Sequence, residues 1–128
     1  MDSIPSFSIP EWPRRTYPFS GGVEYEGGTT FLLAPESDRS NERLTRLVED
    51  ILETGPYRYG DFLNLPMPLY LVKDGGTDDV FRVSIRDGCI RFHVLPDTEP
   101  AGLRALYERI DAQTEVGWEV EFRTEETS

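Results

Sequence analysis

The segment from Phe81 to Val94 limits the possible folds more than any other part of the chain. Phe81, Val83 and Ile85 alternate with Arg82, Ser84 and Arg86. Asp87-Gly88 supplies the two positive-φ positions of a type I′ turn, and Ile90, Phe92 and Val94 then alternate with Cys89, Arg91 and His93. This pattern predicts a two-residue β-hairpin with Arg86 opposite Cys89, Ile85 opposite Ile90, Ser84 opposite Arg91, Val83 opposite Phe92 and Arg82 opposite His93. One face is apolar and the other mostly basic. A slip by one residue would carry every core side chain into water, so burial itself fixes the register.

A sheet with one apolar face needs a second layer to cover it. Leu44, Leu47, Val48, Ile51 and Leu52 recur at helical spacing, with Arg43, Arg46, Glu49, Asp50 and Glu53 on the opposite side. Ser40 or Asn41 can cap this helix, and Gly55-Pro56 ends it. A second stripe, Leu103, Leu106, Tyr107 and Ile110, follows Pro100, with Thr98 or Asp97 as the expected cap. Further strands are expected around Gly27-Gly28 between Val23 and Ala34, from Leu69 to Lys73, and where Trp118, Val120 and Phe122 alternate with Glu119, Glu121 and Arg123. Residues 56–68 read as an irregular connection, and Asp74 to Asp79 as a turn-forming loop. The expected fold class is α+β: an antiparallel or mixed sheet of about five or six strands with two helices packed on one face.

A chain of 128 residues has room for one core. The expected organisation is an arm over 1–20, a single α+β domain over 21–124 and a frayed end over 125–128. The arm carries Pro5, Pro10, Pro13 and Pro18, which oppose helix, interleaved with Phe7, Ile9, Trp12, Tyr17 and Phe19. Linkers lack such aromatics, so the arm is expected to bury them against its own domain.

Charge excludes some partners. With 24 Asp and Glu against 13 Lys and Arg, the net charge is −11, which disfavours nucleic acid and anionic membrane. Neither a leader pattern nor an apolar run of about 18 residues occurs, and the single Cys89 allows no intrachain disulfide. A cytoplasmic protein is expected. The acids are dispersed, and Lys73 is the only lysine. On a chain reading GGVEYEGGTTFLLAPESDRSNERL and DGCIRFHVLP, this composition resembles the small acidic proteins of haloarchaea. The resemblance implies work in concentrated salt, where a Debye length of about 3 Å at 1 M screens self-repulsion. By topology alone, the expected helix, three-strand, helix order of residues 41–113 is similar to the small α+β chaperones of secretion systems, which implies a protein-binding role.

Chemical motifs are sparse. Zinc needs three or four ligands, whereas the only His and the only Cys, His93 and Cys89, lie about 13 Å apart along one strand. The DGGTDD loop lacks EF-hand spacing. Gly21-Gly22, Gly27-Gly28 and Gly75-Gly76 match no phosphate-binding fingerprint, and no nucleophile elbow is present. No cofactor, no metal and no catalytic set is expected, and no Ser or Cys near His93 reads as an activated nucleophile. Two surfaces remain as candidate binding sites. One is the hairpin face with Arg82, Arg86, Arg91 and His93, which either forms an anion site or is neutralised by Glu119 and Glu121 on a neighbouring last strand. The other is the cluster Tyr57, Arg58, Tyr59 and Phe62. The leading expectation is a non-catalytic binding or adaptor module for an unidentified protein partner, a second copy of the chain included. The alternatives are an anion- or phospholigand-binding sensor using the basic face, and an acidic DNA-mimicking inhibitor, against which the interspersed arginines argue.

Overall fold

The computed structural model describes residues 7–17, 19, 21–22, 24–61, 68–114 and 116–125. The elements run β1 (Arg14–Thr16), β2 (Glu24–Glu26), β3 (Gly28–Pro35), α1 (Asn41–Thr54), β4 (Tyr57–Asp61), β5 (Leu69–Asp74), β6 (Val80–Arg86), β7 (Cys89–Val94), α2 (Pro100–Gln113) and β8 (Trp118–Glu125). Six strands form one sheet in the order β4-β5-β6-β7-β3-β8, and β1 pairs with β2 separately. All these pairings are antiparallel, so the fold is α+β with a purely antiparallel sheet. No helix among the described residues is long and apolar enough to cross a membrane.

The β6–β7 hairpin has the register its alternation predicts, from Arg82 opposite His93 to Arg86 opposite Cys89. Asp87 and Gly88 at the turn both have positive φ, 52° and 72°. The Gly88 N–H donates to Asn41 Oδ1 at 2.8 Å, tying the turn to the start of α1. Ser40 caps that helix by accepting from the Arg43 N–H at 3.2 Å, and Gly55 ends it.

The apolar hairpin residues Phe81, Val83, Ile85, Ile90, Phe92 and Val94 belong to one core cluster with residues of both helices. From α1 come Leu44, Val48, Ile51 and Leu52, and from α2 Leu103, Leu106, Tyr107 and Ile110. Leu47 is only partly buried at the margin, so the expected five-residue stripe narrows to four. Phe7 of the arm enters the same core, with its ring centroid 5.0 Å from Phe31 and 5.4 Å from Tyr107. Ile9 is also buried, whereas Trp12, Tyr17 and Phe19 stay exposed. The expected burial of the arm's aromatics therefore fails for these three.

Three further expectations are corrected. Residues 56–68 are not one irregular connection: Tyr57–Asp61 form β4, an edge strand paired with β5, as suits a Tyr-Arg-Tyr segment whose Pro56 lies just outside the ladder. Four strands, not three, thus separate the helices, which removes the topological likeness to secretion chaperones. Neither Thr98 nor Asp97 caps α2. Glu99 occupies the cap position without a side-chain bond, and the N–H groups of Glu99 and Gly102 in the first turn are met by the Asp79 carboxylate. Thr98 is engaged elsewhere, its Oγ1 accepting from Leu95 N and donating to Val80 O.

Candidate functional site

The outer face of the sheet can be read from the registers. Across the strands, one row runs Gly60, Leu71, Arg82, His93, Thr30, Arg123, and the next runs Leu69, Ser84, Arg91, Leu32, Glu121. β3 therefore lies between β7 and β8. Of the two alternatives for the hairpin arginines, the one that sets Glu119 and Glu121 on the strand beside them does not match the strand order, because Leu32 intervenes between Arg91 and Glu121. Nothing in the sequence states which strand fills the place beside β7.

Arg82, Ser84, Arg86, Arg91 and His93 line a cleft of about 310 Å³ on this face. Residues Gly27, Gly28, Thr29 and Thr30, at and before the start of β3, line it together with Pro13 of the arm. Gly28 has a φ of 104°, and a Cβ there would lie 3.0 Å from the Pro13 ring, so only glycine allows the arm this close. The arm is held by two more bonds, Trp12 Nε1 donating to Thr98 O at 2.7 Å and Thr29 Oγ1 donating to Glu11 O at 2.7 Å.

The charges of Arg86 and Arg91 are weakly compensated. Arg86 and Arg91 both reach the Asp87 carboxylate at 3.7 Å, beyond hydrogen-bond range, and the Asp87 side chain is 76% exposed. Neither forms an ion pair with Glu119 or Glu121 among the described residues. The Arg91 side chain is only 24% exposed, and its Nε is buried with no hydrogen-bond partner.

His93 sits among these cations. Burial first, then the charges of Arg91 and Arg82, lower its pKa to about 4, so the ring is neutral near pH 7. Its Nε2 lies 2.7 Å from Ser84 Oγ. Sequence reasoning missed Ser84 as a site residue, although the hairpin register already placed it diagonal to His93. The pair is ill suited to nucleophilic catalysis. A general base works best with a pKa near the operating pH and a carboxylate to orient it, whereas this imidazole is flanked by guanidinium groups that oppose protonation. Because one of their two protons is used in the mutual bond, Ser84 and neutral His93 together can still present one hydrogen-bond donor beside three positive charges.

The second candidate cluster is not one patch. Tyr57 and Tyr59 share a face of β4 by alternation, Arg58 lies on the other, and Phe62 falls outside the described residues. Tyr57 is half-buried beneath the Arg109 guanidinium, 5.7 Å from its ring centroid, and burial pushes its hydroxyl up to about 12. Tyr59 packs edge-on to Tyr70 at 6.0 Å. The DGGTDD loop is occupied with backbone bonds: Asp74 Oδ1 accepts from Gly76 N at 2.8 Å, and Asp79 serves α2. No group of three or more His, Cys, Asp or Glu that could hold a metal occurs among the described residues.

Comparison with protein-family models, curated proteins and solved structures finds no match to this chain.

Proposed function

We propose that the protein is a binding module for a small, multiply charged oxyanion, such as a phosphate ester, held in the outer-face cleft. The observation that carries this reading is the placement of Arg82, Arg86 and Arg91 around one cleft in a chain of net charge −11, with β3 standing between them and the acids of β8. Guanidinium groups match oxyanions through paired N–H donors, and a buried Nε without a partner gains most from such a ligand. The cleft volume is at the lower end for small-molecule sites. The overall charge repels larger polyanions.

The triple variant Arg82→Gln, Arg86→Gln, Arg91→Gln tests this directly. Charge-assisted hydrogen bonds contribute about 1.5 to 3 kcal/mol each, so losing two or more should weaken binding at least about 100-fold. Titration calorimetry with inorganic pyrophosphate is expected to show saturable binding to the wild-type protein and none to the variant, with melting temperatures a few degrees apart. Equal binding by both proteins would sink the proposal.

The carboxylate excess is read as adaptation to concentrated salt, and the site is compatible with it. Contacts at hydrogen-bond range to a half-buried guanidinium are screened far less than long-range fields. The expected result is a melting temperature that climbs steeply from dilute buffer to molar potassium chloride as repulsion among surplus acids is screened. A flat profile would remove the salt reading while leaving the anion site untouched.

A further inference from the structure

We propose that the outer edge of β8 is a self-association surface, on which a second copy of the chain adds its own β8 antiparallel across a two-fold axis at Glu121. β8 spans eight residues, Trp118–Glu125, and is the terminal strand of the six-stranded sheet, pairing with β3 along its whole length. It contains neither Pro nor Gly, and typical strands run about 5 to 6 residues, so its free edge is a long template for backbone pairing among the described residues. Most edges of this kind are short, bulged or proline-bearing.

The side chains point to this partner. With the axis at Glu121, Glu119 faces Arg123 of the second copy and Arg123 faces its Glu119, giving two opposite-charge cross-strand pairs on the outer face. On the other face Phe122 stands opposite Val120 of the second copy, and the reverse. Phe122 is 57% exposed in the monomer, the most exposed of the described aromatics in the six-stranded sheet, and Val120 is partly buried beside the core. The only like-charge pair is Glu121 with its own copy. The neighbouring register, with the axis at Phe122, exchanges the two apolar Phe122–Val120 pairs for a single Phe122–Phe122 pair and sets Val120 opposite Thr124, which makes it the poorer apolar match. Closed two-fold pairing joins the two sheets into one continuous sheet and leaves both basic clefts on the same outer face. The proposal stands independently of what the cleft binds.

The test uses the full chain with Cys89→Ser to remove the native thiol. Residues directly opposite in an antiparallel pair have Cα atoms about 4.5 to 5.5 Å apart, within disulfide range. Glu121→Cys is therefore expected to form an intermolecular disulfide rapidly under mild oxidation. Arg123→Cys should not, because its own copy lies about 13 Å away along the pair. By sedimentation at about 0.1 M potassium chloride, where exposed cross-strand charges still interact, Arg123→Glu should weaken the dimer at least about tenfold, and adding Glu119→Arg should restore it, since two opposite pairs become like-charged and then opposite again. A monomer throughout, a dimer indifferent to the charge reversal, or cross-linking through Phe122→Cys in place of Glu121→Cys would each overturn this interface.

Discussion

Replacing Phe92 by alanine is expected to destabilise the protein by about 3 to 5 kcal/mol, a large share of the about 5 to 15 kcal/mol that holds a domain folded. Phe92 is fully buried in the middle of β7, and its ring lies 5.9 Å from Phe7 and 6.1 Å from Phe81. Truncation there opens a cavity where the arm, the hairpin and the helices meet, and the strand pairings on both sides of β7 keep the walls from collapsing. Denaturant unfolding measures the effect. Leu47→Ala is the internal control: Leu47 is only partly buried, so its loss should be about 1 kcal/mol. A Phe92 effect no larger than that of Leu47 would mean that the core is wrongly placed.

The second large effect concerns Asp79, whose carboxylate accepts from the N–H groups of Val80 at 2.9 Å, Glu99 at 2.8 Å and Gly102 at 3.1 Å. It sits 2% exposed at the start of α2 and does the work of an N-cap from another element. Burial holds its carboxyl above the usual carboxylate range despite these donors. Asp79→Ala would leave buried N–H groups without acceptors, at about 1 to 3 kcal/mol each, so a loss of about 2 to 4 kcal/mol is expected. Gly102 supplies a sharper test because two effects oppose each other. In an ordinary helix, Gly→Ala stabilises by about 1 kcal/mol. Here a Cβ at Gly102 would collide with the Asp79 carboxylate. The collision should win, making Gly102→Ala destabilising, and a stabilised variant would show that the Asp79 cap is not formed.

What the sequence revealed followed from local pattern, and what it hid depended on strand order. Alternation through Asp87-Gly88 was enough to write the hairpin register, since burial and turn chemistry act on neighbours in the chain. Most of the α1 stripe and the Gly55 end were legible for the same reason, and Ser40 is one of the two caps, Ser40 or Asn41, that the sequence offers. The insertion of β3 between β7 and β8 was not, and it decides whether Glu121 can neutralise Arg91. Tyr57 to Asp61 lack the apolar alternation of an interior strand, which hid β4 among the prolines and aromatics that follow it. The cap of α2 comes from 20 residues away, beyond any local motif. That Arg82, Arg86, Arg91 and His93 share one face is legible because basic residues stand out in an acidic chain, whereas Ser84 reads as an ordinary strand residue and only its 2.7 Å contact with His93 links it to the same cleft.

The central claim is that an oxyanion binds beside His93 among the arginines, and inorganic sulfate tests it most directly because its charge does not change near neutral pH. With a pKa of about 4 in the free protein, His93 binds almost no proton at neutrality. A dianion in contact favours the imidazolium form and offsets the charges of Arg91 and Arg82, so its pKa rises on binding and a proton is taken up. Titration calorimetry with sulfate at constant ionic strength, in buffers of different ionisation enthalpy, reads both affinity and proton uptake. The account predicts that affinity increases several-fold from about pH 7 to about pH 5 with proton uptake, and that His93→Asn binds sulfate with the pH dependence removed. Undetectable sulfate binding, or binding with the same pH profile in both proteins, would contradict it.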